Sequence, residues 1–136
     1  MLDADSYMDA SAILRLVRLM QSNERLGIAQ SFVVGLLTMS AFARVFQFGM
    51  HLGMRSYTLG SAWRQGDCEP YWGHNALIRL KPFIEDCHLP ELDGRGPLSG
   101  PVLSHDQVEA VLMRRAGYEV RVIPEEGGSF EQNPPT

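Results

Sequence analysis

Asp3 and Asp5, the alternate carboxylates of LDADS, are the first residues whose type and spacing admit chemistry. They stand at the end of a short apolar start that reads as a strand. Alternate carboxylates just past a strand can hold Mg2+ or Mn2+, hard ions that take oxygen ligands and bridge to a diphosphate. The position also suits the tendency of open α/β sheets to bind ligands at the carboxyl ends of their strands. Solvated turn residues would have the same composition, and the pair alone does not separate the two readings.

Asp106, in SHD, stands where a Gly/Pro-rich stretch meets a helix start. An acid in a first helical turn gains about 0.3–1 kcal/mol from the macrodipole. The same dipole favours the ionised carboxylate, the form in which a general base accepts a hydroxyl proton. His74 and His105 have no partner at a zinc spacing such as HExxH, so hydrogen bonding is the role expected of them. No GxSxG, Walker-type loop or GxGxxG is present, which removes hydrolase-elbow and P-loop chemistry. Arg114 and Arg115 read as a solvated helix face.

The elements that must position these residues follow from periodicity. MDASAILRLVRLM places Ile13, Leu16, Val17 and Met20 at helical spacing, with Asp9 or Ser11 as N-cap. IAQSFVV is a strand-length apolar run, so the opening order is strand, helix, strand, as in a parallel α/β sheet. Thr38 to Tyr57 reads as a helix whose Phe42, Val45, Phe46 and Met50 belong in the core, with Gly49 and Gly53 weakening its end. RQGDCEP breaks that pattern. YWGHNALIRL then reads as a strand leading to KPFIEDC, a short helix that Pro82 starts. Residues 88–103 form a long Gly/Pro-rich loop, of the kind that often carries function. LSHDQVEAVLMRRAG is a helix capped by Ser104 with Gln107 in a capping-box pattern, burying Val108, Val111 and Leu112 and ending at Gly117. YEVRVI alternates as a strand, and 124–136 reads as an irregular polar tail.

The chain as a whole bounds these options. Its 136 residues make one domain, 1–136, with an ordinary globular composition of 45% hydrophobic and 21% charged residues. A formal net charge of -4 gives no reason to expect nucleic acid as partner. Cys68 and Cys87 form no CxxC pair and read as reduced thiols. The most apolar stretch, Phe32 to Met54, is interrupted by Arg44, Gln47 and His51, so no span of about 20 uncharged residues is available to cross a bilayer.

Three stretches in this order, LDADS, YWGHNALIRLKPFIEDC and GRGPLSGPVLSHDQVEAVLMRRAGYEVRV, resemble the inverting family 2 glycosyltransferases with a GT-A fold. Within that family the likeness is to the membrane enzymes that build the backbone of osmoregulated periplasmic glucans. The resemblance implies an α/β fold that forms part of a GT-A domain, a mixed sheet flanked by helices. It implies that Asp3 and Asp5 bind the divalent cation, Mg2+ or Mn2+, and the diphosphate of UDP-glucose. It places Asp106 as catalytic base toward the glucan acceptor, and Gly73, His74 and Asn75 along the sugar and acceptor site. The family's earlier nucleotide-binding half, its Gln-x-x-Arg-Trp motif and its transmembrane helices are absent from this sequence. The resemblance therefore implies a fragment of a longer enzyme at the cytoplasmic face of a bacterial inner membrane. The competing expectation is a catalytically inactive small α/β domain that binds a partner or self-associates through an exposed sheet edge.

Overall fold

The computed structural model describes residues 1–96 and 99–132. Ten elements follow in chain order: β1 Ser6–Met8, α1 Ala10–Ser22, β2 Leu26–Ser31, β3 Val34–Gly35, α2 Ala41–Gln65, β4 Ala76–Ile78, α3 Leu80–Asp86, α4 His105–Arg115, β5 Glu119–Ile123 and β6 Ser129–Glu131. The fold is mixed α/β, with two small mixed sheets flanked by helices. One sheet has the order β4-β2-β5, with β2 antiparallel to β4 and parallel to β5. The other has the order β1-β6-β3, with β6 antiparallel to β1 and parallel to β3. The opening strand-helix-strand is thus no parallel unit within one sheet, because β1 and β2 lie in different sheets.

Two apolar clusters hold the sheets and helices together. Leu16 and Met20 of α1 pack on Leu26 and Ala29 of β2. On the opposite side Ile28 and Val120 meet Tyr71, Ala110 and Met113. At α1 the cap is Asp9, whose Oδ1 accepts from the Ala12 N–H at 2.8 Å; Ser11 instead donates to the same oxygen. The buried stripe is Ala12, Leu16 and Met20, while Ile13 is exposed.

Helix α2 departs most from expectation. It runs on to Gln65, since nothing in the sequence stops it before Gly66, whose φ of +60° ends it. Ala43 and Thr58 are its only buried residues, and Phe42, Val45, Phe46 and Met50 lie exposed rather than in the core. The helix buries little against the body, so most of its apolar side chains stay exposed.

Helix α4 buries Glu109, Ala110 and Met113; of the expected stripe Leu112 packs half-buried against the same core, Val108 is half-buried and Val111 is exposed. Gly27 sets this rotation: a β-carbon there would lie 2.7 Å from Met113 Cγ, so its bareness lets Met113 press onto β2. Ser104 makes no capping bond to the helix backbone, because its hydroxyl donates to Asp106 Oδ1 at 3.0 Å.

The expected middle strand shortens to Ala76–Ile78, and Pro82 falls within the first turn of α3 rather than starting it. The tail is not wholly irregular. Ser129–Glu131 form the central strand of the second sheet, while 133–136 lie outside the described residues. In the 88–103 loop, Leu92 and Gly100 pair across the turn, and residues 97–98 lie outside the described residues.

The edges of the first sheet are covered: Met1 pairs with Ala76 beside β4, and Asp67 and Glu69 bond to Val120 beside β5. Both cysteines are free, Cys68 exposed and Cys87 buried, and burial raises the Cys87 thiol above its ordinary value. No helix among the described residues is long and apolar enough to cross a membrane.

Candidate active site

The LDADS carboxylates precede strand β1 rather than following it. The Ser6 N–H donates to the Asp3 carbonyl at 3.1 Å, closing a turn before pairing with β6 begins. Upstream, Met1 and Ala76 exchange two backbone hydrogen bonds of 2.8 and 3.1 Å, so the turn follows directly on an extended pairing beside β4. The Asp5 carbonyl accepts from the Gln132 N–H at 2.9 Å, tying the turn to the end of β6. Both carboxylates point to solvent and make no hydrogen bond or ion pair among the described residues.

The YWGHN segment crosses the same end of the fold. Its backbone is pinned to β2 at two places: the Trp72 N–H donates to Gln30 Oε1 at 2.9 Å, and the Asn75 carbonyl accepts from the Ser31 N–H at 3.0 Å. Between these anchors Gly73 adopts φ +87°, and a β-carbon there would stand 3.5 Å from Asp106 Cβ and 3.6 Å from Oδ2. Helix α4 thereby lays its first-turn acid against bare backbone. With Ser104 donating to Oδ1, Oδ2 is the oxygen turned toward Gly73.

Tyr71 opens the YWGHN segment from within the core. Its ring is fully buried and its hydroxyl has no hydrogen-bond partner among the described residues. Burial, then the negative charges of Glu109, Asp3 and Asp106, push the phenol far above its ordinary value.

The remaining candidates differ in what they face. Asn75 is fully buried at φ +46°, and its side-chain amide donates to Ser129 Oγ at 2.7 Å and to the Phe130 carbonyl at 3.2 Å. Ser31 Oγ and Ser129 Oγ share a further bond of 2.7 Å, so this group clamps one sheet to the other. His74 is half-buried, and its Nδ1 has no partner, contrary to the hydrogen bond expected of it. His105 fits expectation, with Nδ1 3.3 Å from Glu109 Oε1. Arg114 is no purely solvated residue, for it bonds Asp67 at 3.1 Å and the Tyr118 carbonyl at 3.3 Å. Among the described residues no group of three or more His, Cys, Asp or Glu side chains is arranged to hold a metal ion.

Sequence reasoning missed Tyr71 and the Gln30, Ser31 and Ser129 anchors. Only the place of Tyr71 beside Gly73 in YWGHN could have pointed to it. Short-range patterns carry no signal for polar pairs between distant strands.

Over this same chain a match is found to a glucans biosynthesis glucosyltransferase H of Cupriavidus pinatubonensis, 48% identical over 135 residues, 98% of this chain and 16% of the relative. The chain is similar, nearly end to end, to a segment of glucans biosynthesis glucosyltransferase H. The glucosyltransferase H of Xylella fastidiosa is 47% identical over 99% of the chain and 21% of its own length, and that of Cereibacter sphaeroides 43% over 98% and 22%. The chain thus spans about a fifth of the length of the glucosyltransferase H proteins it matches. No family model and no solved structure matches it. The resemblance carried by the three motifs is upheld, and it extends across helix α2, which none of those motifs includes.

Proposed function

We propose that this chain forms the diphosphate-binding and acceptor-activating portion of an inverting glucosyltransferase, which moves glucose from UDP-glucose to a growing β-glucan. The observation that carries this reading is Asp106, held in the first turn of α4 with Ser104 on Oδ1 and Oδ2 facing the bare Gly73 backbone, in a chain similar over nearly all its length to proteins named as glucosyltransferases.

Asp3 and Asp5 suit Mg2+ or Mn2+. They offer two unengaged carboxylates, and such ions commonly take one or two from protein and the rest from phosphate and water. A cation held there would offset the charge developing on the departing diphosphate. Asp106 accepts the proton of the acceptor hydroxyl through Oδ2, while the Ser104 hydroxyl fixes Oδ1. Gly73 leaves that oxygen facing backbone alone, and His74 follows it along the sugar and acceptor site. Asn75 contributes by holding the YWGHN backbone on the sheet junction. The isolated chain does not turn over, because the donor-binding elements that preorganise such a site are not in it. The full-length protein works at the cytoplasmic face of the inner membrane.

Exchanging this segment for the corresponding one of the Xylella fastidiosa relative tests the reading. The chimera should keep glucan synthesis, and Asp106→Asn within it should lower turnover by about 10²–10⁴, the usual contribution of a general base. A folded chimera that stays active with Asp106→Asn would overturn it.

A further inference from the structure

Polar groups at the junction of the two sheets close a ring of hydrogen bonds whose direction is fixed. The Asn75 side-chain amide donates to Ser129 Oγ at 2.7 Å, Ser129 Oγ and Ser31 Oγ lie 2.7 Å apart, and the Ser31 hydroxyl donates to the Asn75 carbonyl at 2.8 Å. A carbonyl only accepts, and a serine hydroxyl has one proton. Ser31 commits its proton to Asn75, so the proton between the two serines belongs to Ser129. The Phe130 carbonyl, 3.2 Å from the same amide nitrogen, fixes which way the Asn75 amide faces. Starting and ending at Asn75, the ring crosses β6 and β2, and each bond in it polarises the next.

Ser129 is its member on the strand that also carries the LDADS turn. Ser6 pairs with Glu131, and the Gln132 N–H holds the Asp5 carbonyl at 2.9 Å. Through Asn75 the same strand holds the YWGHN segment, in which Gly73 faces Asp106. Asn75 is 0% exposed and Ser129 1%, so neither side chain reaches a substrate.

We infer that Ser129 is a positioning residue, which sets the LDADS carboxylates and Asp106 relative to each other by tying both segments to β6. The roles of those carboxylates rest on the transferase reading, whereas the tie between them rests on the hydrogen bonds of the fold.

Ser129→Ala tests it, since the change removes one buried oxygen and leaves the strand pairing in place. In nuclear magnetic resonance spectra of the 136-residue chain it should shift the backbone amides of Asp5 and Gly73 together with the Asn75 side-chain amide. Asn75→Gly, which keeps the positive φ without strain, should shift Asp5 as well. Adding Ser129→Ala to it should change little more, as for two partners in one bond. In the full-length chimera Ser129→Ala should lower turnover about 10²-fold, the effect of misplacing reacting groups by about 1 Å, and further than any fall in folded protein. Shifts confined to the sequence neighbours of Ser129 would overturn the inference whatever the chimera does. So would the expected shifts with turnover unaltered in a chimera that Asp106→Asn inactivates. An active Asp106→Asn chimera would instead overturn the transferase reading, and the amide shifts alone would then decide whether Ser129 ties the two segments.

Discussion

Asp106 rests against Gly73: a β-carbon on the glycine would lie 3.5 Å from Asp106 Cβ and 3.6 Å from Oδ2. The contact joins the first turn of α4 to the YWGHN segment and leaves one carboxylate oxygen facing bare backbone.

Gly73→Ala puts a side chain at φ +87°, a backbone conformation that strains it, with the methyl in van der Waals contact with Asp106. The strain should cost about 1–3 kcal/mol of stability. In the full-length chimera turnover should fall further than the population of folded protein does. Urea unfolding beside an activity assay checks the split, and an unchanged turnover would show that the gap before Oδ2 does not serve the acceptor.

Asn75→Ala removes the amide that bonds Ser129 and Phe130 and places alanine at φ +46°. Leaving buried partners unsatisfied costs about 1–3 kcal/mol, read as a lower urea midpoint. A loss below about 0.5 kcal/mol, the usual range for surface positions, would mean that the sheet junction does not depend on this side chain.

Gly27→Ala sets a methyl 2.7 Å from Met113 and 2.8 Å from Tyr118. Overpacking of this kind costs about 1–3 kcal/mol. Met113→Ala in the same chain should recover part of the loss, because it removes the side chain that collides. Additive losses in the double variant would contradict the packing described.

Ionisation gives opposite trends for two sets of carboxylates. The Cys68 thiol and then Arg114 hold Asp67 below its ordinary value of 3.8, and the Ala12 N–H and Ser11 hydroxyl do the same for Asp9. Their stabilisation is present above 3.8 and is lost as pH falls through the lowered values. Glu69 moves the other way, because burial raises it above 4.5 despite the bond from Ser61. It favours the folded state fully below 4.5, and that contribution is lost as pH rises through the raised value. Glu69→Gln should therefore flatten the decline in urea midpoint above 4.5 and leave the acid limb unchanged. Parallel profiles for the two proteins would contradict this.

Legibility in the sequence followed the range of the signal. Helix α1 could be read because Asp9 and the Leu16 and Met20 spacing are local, and β5 because YEVRVI alternates on its own. Burial on α2 could not, since apolar content says what a face would tolerate and not whether a partner surface exists. Strand β6 is three residues inside a Pro/Gly-rich tail, and only its pairing with β1 and β3 makes it a strand. In the candidate site, residue types singled out Asp3, Asp5 and Asp106, and family resemblance gave them roles. Tyr71 stayed hidden because its burial and its charged neighbours arise from three distant segments.

Thermal unfolding of this chain with and without UDP and Mn2+, repeated with Asp5→Asn, tests the central claim most directly. A ligand at ten times its dissociation constant stabilises the fold by about 1.4 kcal/mol, a rise of about 4 °C for a domain of this size. The account predicts that rise in the wild-type chain and its disappearance in the variant. A cooperatively folded chain whose Tm is unmoved, or an equal rise with Asp5→Asn, would contradict the assignment of the metal and diphosphate to the LDADS carboxylates.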